Sequence, residues 1–468
     1  MIALIWPTQL LVAVGILGAN ATASVAEHFH TTQVVWFTLI ITLGTTMLAP
    51  FVIKLGDMHG KKRVMLAMIG LGVIGEVIAT TATSFPMLLV GRGIASFYGP
   101  LAALSFPTVR DIFPRHLVKS ASAILGSSLG LVSLASPFLG GWLIDSWGYE
   151  GALWFIVAAT AVAFLLVLFV VPETPRHSVA AGFDWIGGIV LGGALASIVY
   201  ALAEGPTWGW ASGRTWVFIG AGLAAIVAFV FIERTSSHPI IDLKVLSRRP
   251  VAAAVASGSI AQAVVYSAPV IAILLALYPN IPGVSAGFGW TTTHNAVIGV
   301  SWNVVLFAAG IATSRVLRRA DARAVWRAGL AVTAVGFLLA GFFHGNAFEL
   351  TWTMCVASLG SGLVVATAPV LVVSVVTVDE QGLGSGMLTM FTNVGGAVFT
   401  AVMYAALDAH SVTLKGTAFY QGSGYSLAFW AGAGFAVVAL GVSALIPRLK
   451  DSATGLSALP LETSHAAA

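Results

Sequence analysis

The chain is 468 residues long, with 58% apolar and 9% charged residues. That excludes an ordinary soluble domain, in which about a quarter of residues are charged. A net charge of +4 suggests nucleic-acid binding, but the basic residues are scattered over short gaps between apolar runs and make no continuous basic face. One cysteine, Cys355, excludes an internal disulfide.

A helix crosses a bilayer core with about 20 apolar residues. Segments of that length follow one another at about 2–23, 34–53, 64–83, 86–108, 119–144, 150–171, 185–204, 215–233, 250–278, 293–315, 325–344, 349–373, 383–407 and 425–446. Barrel strands would be about half as long and would alternate in polarity; an all-α membrane protein with fourteen spans is expected. Residues 2–17, followed by Ala19-Asn20-Ala21, have the shape of a signal peptide but lack its basic leading region, so they are read as the first span.

Charge alternates with the spans. Nineteen of the 22 Lys and Arg residues, from Lys54 to Lys450, lie in every second gap; the other gaps hold only Arg214 and Lys415, and Arg92 lies inside a span. Retention of positive charge on the cytoplasmic side puts the rich gaps and both termini there, in a multi-pass protein of the cell inner membrane. No gap is long enough for a soluble domain, and no G-x-x-x-x-G-K-[ST] phosphate loop is present. Transport powered by this chain's own ATP hydrolysis is not expected. Neither a nucleophile–base set nor a metal-spaced His/Cys/Glu cluster occurs, so no enzyme, metal or cofactor is expected, and His28 and His30 are read as solvated.

Between spans 2 and 3 lies Leu55-Gly56-Asp57-Met58-His59-Gly60-Lys61-Lys62-Arg63. Gly60 permits a tight turn, and Asp57 suits a helix N-terminus. The stretch resembles the loop motif G-x-L-[AGS]-D-x-x-G-[RK]-[RK] of the major facilitator superfamily, with Ile53 at the leading glycine. The resemblance implies that Asp57 latches one conformation against span 13 of the other half. Span 4 holds Leu88-Leu89-Val90-Gly91-Arg92, similar to the family's intramembrane arginine motif, with Ala95-Ser96 in place of its Gln-Gly. In span 5, Ser136-Pro137-Phe138-Leu139-Gly140-Gly141 is close to the antiporter motif G-P-x-x-G-G, with Ser136 at its first glycine. Pro137 removes a backbone hydrogen bond and is expected to bend the helix, while Gly140 and Gly141 allow close approach.

Phe183-Asp184-Trp185-Ile186-Gly187-Gly188 and His238-Pro239-Ile240-Ile241-Asp242-Leu243 look like the flanks of the two extra spans in the fourteen-span drug:proton antiporter branch. Pro172-Glu173 and Glu380-Gln381-Gly382-Leu383-Gly384-Ser385-Gly386 extend the likeness. This branch commonly has an aspartate in span 1, where this chain has Leu17-Gly18-Ala19-Asn20. The resemblance implies a six-helix bundle over 1–171, two additional spans with their flanks over 172–249, a second six-helix bundle over 250–447, and a disordered cytoplasmic tail over 448–468.

Two charges lie well inside spans, Glu76 and Arg92. At 1.5 Å per residue Glu76 is about 18 Å from the inner face, hence about 12 Å from the outer face of a core of roughly 30 Å. Arg92 is about 9 Å below that face by the same count. Matched depth on adjacent helices predicts an ion pair, and breaking it as the protein rocks would free Glu76 to take a proton. In the spans expected to line a cavity, Asn20, Gln262, Tyr266, Asn303 and Asn393 are the candidates for orienting a substrate.

The expected function is export of a hydrophobic or amphipathic small molecule, a drug, antibiotic or metabolite, in exchange for protons by alternating access. A proton-coupled importer and a non-transporting membrane scaffold remain open alternatives. The partners expected are the small-molecule substrate, protons and the bilayer, with no nucleic acid and with a monomer as the simplest assembly.

Overall fold

The computed structural model describes residues 2–173, 184–236, 243–317, 319–376, 381–414 and 416–446. In hydrocarbon each backbone N–H and C=O must be met within its own segment, and helices do this. Polar side chains buried in the helices follow the same rule: the hydroxyls of Thr22, Thr80, Thr160 and Thr333 donate to the carbonyls of Gly18, Glu76, Ile156 and Gly329.

The first half comprises α1 (Ile2–His28), α2 (Val35–His59), α3 (Lys61–Thr80), α4 (Phe85–Ala95), α5 (Leu101–Ile112) and α6 (Arg115–Val170). Expected span 4 is α4 and α5 joined through a 3-10 turn at Ser96–Tyr98. Spans 5 and 6 are the two arms of α6, which meet at Gly148, whose positive φ of 68° suits glycine. The backbone of α6 stays helical through Pro137.

Next come α7 (Trp185–Trp208), α8 (Gly213–Thr235) and the single turn α9 (Leu243–Leu246). The second half holds α10 (Arg249–Ser267), α11 (Pro269–Leu277), α12 (Thr292–Val316), α13 (Ala322–Phe342), α14 (Ala347–Val373), α15 (Gln381–Asp408) and α16 (Gly422–Ser443). Pro269, which cannot donate a helical hydrogen bond, splits expected span 9 into α10 and α11. Two gaps read as loops are antiparallel hairpins, β1 (Asn280–Ile281) with β2 (Ser285–Ala286), and β3 (Ser411–Leu414) with β4 (Thr417–Tyr420). Among the described residues, eleven helical stretches are long and apolar enough to cross a membrane. One of these, Ala135–Val170, runs through the Gly148 break.

Helices α1–α6 pack on one another, as do α10–α16; the main links between the groups are α6–α12, α2–α15 and α1–α11. α8 packs on α7, and α7 lies against both α2 and α15. The sequence around α7 explains its docking. Asp184 caps the helix by accepting the Gly187 N–H (2.7 Å), and a Cβ on Gly188 would come 2.3 Å from the Phe51 ring. At the far end, Glu204 accepts the Trp36 indole N–H (3.0 Å) and is buried.

Two hairpins pack backbone against backbone. A Cβ on Gly75 of α3 would lie 2.3 Å from the Ala95 nitrogen, and one on Gly91 of α4 would lie 2.4 Å from that of Ala79. In the second half a Cβ on Gly336 of α13 would lie 2.3 Å from the Ala357 nitrogen of α14. The contacts between helices respect the charge alternation. Lys61 meets Asp111, and Arg327 meets the Ser443 carbonyl, at the end carrying the basic gaps, the basic face. Trp36 meets Glu204, and Thr417 meets the Ala26 carbonyl, at the opposite, charge-poor face.

Candidate functional site

The close approach of α3 and α4 sets Glu76 against Arg92. Arg92 Nη1 donates to Glu76 Oε1 at 3.2 Å and Oε2 at 3.4 Å, and the Tyr98 hydroxyl donates to Oε1 at 2.8 Å. Glu76 and Arg92 are 0% and 1% exposed. The guanidinium carbon sits 4.6 Å from the centroid of the Phe37 ring on α2, a cation–π contact. It also abuts α1: a Cβ on Gly18 would be 3.1 Å from Arg92 Nη2. Arg92 Nε has no hydrogen-bond partner. The pair therefore touches four helices of the first half. Such a pair adds little net stability, whereas removing one partner leaves an uncompensated buried charge. Tyr98 was not identified from the sequence; its position depends on the 3-10 turn interrupting span 4.

At the basic face the Asp57–Arg63 motif is almost wholly helical rather than a loop. α2 runs through His59, α3 begins at Lys61, and Gly60 alone makes the turn, with φ 94°. Lys61 is 5% exposed and forms an ion pair with Asp111 of α5. Lys62 is half-buried. Arg63 is exposed, with its Nε 3.4 Å from Glu173. The Asp57 side chain, and those of Gln381, Leu383 and Ser385 at the start of α15, lie outside the described ones, as does the His238–Asp242 motif.

The antiporter-like motif sits where α6 meets both halves. Ser136 is buried and Pro137 half-buried. Gly140 faces α1, where a Cβ would lie 3.2 Å from Asn20 Nδ2 and 3.4 Å from Leu17. Gly141, the next residue, faces α12, where a Cβ would lie 2.8 Å from the Thr293 Cα. One turn on, Asp145 accepts the backbone N–H groups of Thr292 (2.9 Å) and Thr293 (2.8 Å). No sequence signal marks Asp145, since its partners are 147 and 148 residues away.

The polar candidates divide between the halves. Asn20 is 2% exposed, and its Nδ2 has no partner. Gln262 of α10 accepts the Thr392 hydroxyl of α15 at 3.2 Å, next to half-buried Asn393. Asn303 of α12 is half-buried. Tyr266 of α10 is 56% exposed. Asn20 packs with the antiporter-like motif, and Gln262 joins α10 to α15.

The family model for the Major Facilitator Superfamily matches residues 5–278. The chain belongs to that superfamily: it is a multi-pass membrane transporter, and not an enzyme. It is 25% identical to the multidrug resistance protein Stp of Mycobacterium tuberculosis, over 81% of this chain and 70% of Stp. It is 26% identical to the tetracenomycin C resistance and export protein of Streptomyces glaucescens, over 53% of this chain and 48% of that protein. It is also 26% identical to the uridine/deoxyuridine transporter of Lactococcus lactis, over 91% of this chain and 88% of that one. Of solved structures, an auto-inhibited POT family peptide transporter aligns with TM-score 0.66 at 13% identity, covering 97% of this chain and 98% of its own. The nucleoside transporter NupG aligns with TM-score 0.59 at 15% identity, covering 95% and 99%. At these identities the structures speak for the fold alone.

Proposed function

We propose that the chain exports hydrophobic or amphipathic small molecules across the cytoplasmic membrane in exchange for protons, as a monomer working by alternating access. Two six-helix bundles, 1–171 and 250–447, rock about a central site, with 172–249 supplying the additional helix pair and both termini in the cytoplasm. The observation that carries this reading is the buried Glu76–Arg92–Tyr98 cluster. A carboxylate with no water around it is ionised only while its cation stays close. Its ring and backbone neighbours on α1 and α2 belong to the same bundle, so the pair separates only when α1 and α2 shift against α3 and α4 as access alternates. Separation of Arg92 from Glu76 leaves a buried anion, which takes up a proton; restoring the pair releases it. Gln262, Tyr266, Asn303 and Asn393 in the second half orient the substrate through neutral hydrogen bonds, with Asn20 opposite them. Asp57 latches one of the two conformations at the basic face.

Similarity to Stp and to the tetracenomycin C export protein supports the export direction. Similarity to a uridine/deoxyuridine transporter over 91% of the chain favours a second reading, a proton-coupled importer of a specific metabolite. The test is proton flux in proteoliposomes holding an imposed pH gradient, across hydrophobic cations, neutral antibiotics, nucleosides and organic acids. Export predicts that one compound collapses the gradient in the parent and fails to do so in Glu76→Gln. A response confined to nucleosides, moving in the same direction as protons, selects the importer. Normal proton-coupled transport by Glu76→Gln would exclude the coupling role.

A further inference from the structure

We infer that Asp145 is the latch that holds the charge-poor face shut, a carboxylate of the first half capping a helix of the second. The inference rests on the alternating-access reading but not on substrate or direction. A helix leaves its first N–H groups unpaired, and they attract negative charge. In α12 these donors are met from two sources. Thr291, just before the helix, accepts the His294 N–H (3.2 Å) through its own hydroxyl. The two N–H groups ahead of that one, Thr292 and Thr293, are met across the boundary between the halves, one by each oxygen of Asp145.

The surrounding contacts make this a joint rather than a chance touch. Gly141, one turn before Asp145 on α6, lets the two backbones meet at Thr292 and Thr293, where a Cβ would come within 2.8 Å. On the same face, the Thr417 hydroxyl on β4 donates to the Ala26 carbonyl at the end of α1 (3.3 Å). Gly416 packs over His30, where a Cβ would lie 3.0 Å from the His30 carbonyl oxygen. Opening this face separates α6 from α12, and all these contacts break together.

Asp145 is exposed. Water can therefore replace it on the two N–H groups, and they on it, so the bond is exchangeable. A fully buried carboxylate would be left as an unsolvated anion whenever the face opened. A solvent-accessible one makes a reversible catch that favours the closed face by the difference between a charge-assisted bond and a water-mediated one. The arrangement has the same chemistry as the role proposed for Asp57, a carboxylate of the first half against a helix N-terminus of the second, but at the opposite face and on α12 rather than α15. Two such catches, one per face, would hold the two end states in turn.

The test measures the gap at the charge-poor face without substrate or gradient. Spin labels are placed at the exposed positions Glu150→Cys and Pro282→Cys in a Cys355→Ala background, and distances are read by double electron–electron resonance in nanodiscs. The parent should give mainly the short distance. Asp145→Ala should raise the ratio of long to short populations about tenfold, the effect of losing a pair of hydrogen bonds to a charged group. Asp145→Asn, which keeps one carbonyl acceptor, should fall between. Gly141→Ala should also shift the ratio, because its Cβ pushes α12 away while the carboxylate remains. An unchanged distribution in folded, monodisperse Asp145→Ala would overturn the proposal. Should that variant fail to fold, an unchanged distribution in Asp145→Asn would do the same. Absence of proton-coupled export in the parent would bear on the proposed function and leave the distance result standing.

Discussion

The α3–α4 and α13–α14 hairpins are built alike and furnished differently. Each brings two helices to backbone contact through glycine, at Gly75 and Gly91 in one and at Gly336 in the other. The residue after Gly75 is Glu76, whereas the residue after Gly336 is Phe337, also buried at 2% exposure. Across the first hairpin Arg92 follows Gly91; across the second Ser358 follows Ala357, the residue Gly336 touches. The second hairpin shows that this packing needs no charge. Burying an ion pair in the first is therefore not explained by architecture, since an apolar pair of like volume serves stability as well or better. At these matched positions beside the close contact, only the first hairpin carries a group that can exchange a proton.

The largest effects should come from breaking that charge balance. Arg92→Leu leaves Glu76 as a lone buried carboxylate and should cost about 3–5 kcal/mol. Phe337→Glu, which puts a carboxylate without a cation into the second hairpin, should cost a similar amount, and thermal unfolding in detergent micelles measures both. If Arg92→Leu melts with the parent, the pair is not desolvated and the contrast between the hairpins collapses. Next in size are Gly75→Ala and Gly336→Ala, each expected to cost about 1–3 kcal/mol because the added Cβ meets backbone that cannot rotate away. Their equality is the point: a large gap between them would mean that the two hairpins do not share one packing device. Smaller still is the double change Glu76→Leu with Arg92→Leu. It should stay within about 1 kcal/mol of the parent, yet lose proton-coupled transport in proteoliposomes.

What the sequence made legible was whatever depends on counting along one helix or one hairpin. The span boundaries follow from apolar runs, and the Glu76–Arg92 meeting follows from equal depths on adjacent antiparallel segments. Tyr98 escaped because its place depends on an interruption of span 4 that apolarity does not mark. Lys61 belongs to the stretch that resembles the family's loop motif, but it is the first residue of a helix and is buried against Asp111, a partner 50 residues on. Asp145 escaped for a related reason, since a helix cap supplied from another bundle exists only once the bundles dock. The hairpins β1–β2 and β3–β4 lie in gaps whose pairing comes from packing at the charge-poor face, not from alternation in their own few residues.

The two hairpins differ again where they begin at the basic face, and here the expected effect is smallest. α13 starts from Asp321, which accepts the Arg323 backbone N–H at 2.9 Å and pairs with its guanidinium at 3.0 Å. α3 starts from Gly60 without a side-chain cap and carries Lys61, Lys62 and Arg63 in its first turn, the wrong sign for a helix N-terminus. Its compensation is tertiary, through Asp111 and Glu173. Partial burial pushes the Asp321 carboxyl up, but the Arg323 backbone and guanidinium, with Arg327 nearby, hold it below the ordinary aspartate value. The Asp321 side chain is 43% exposed, so water screens the charge and the cap accounts for most of its worth. Asp321→Ala should therefore cost only about 0.5–1 kcal/mol at neutral pH. A carboxylate with a lowered pKa stabilises the fold above its unfolded value and loses that contribution as pH falls through the folded one. The melting difference between parent and Asp321→Ala should thus be constant above about pH 5, shrink below the ordinary aspartate value of about 4, and vanish only below the lowered value of the folded state. Transport should be unchanged throughout the constant range. A difference that instead grew on acidification would assign the effect to a group other than the Asp321 carboxylate.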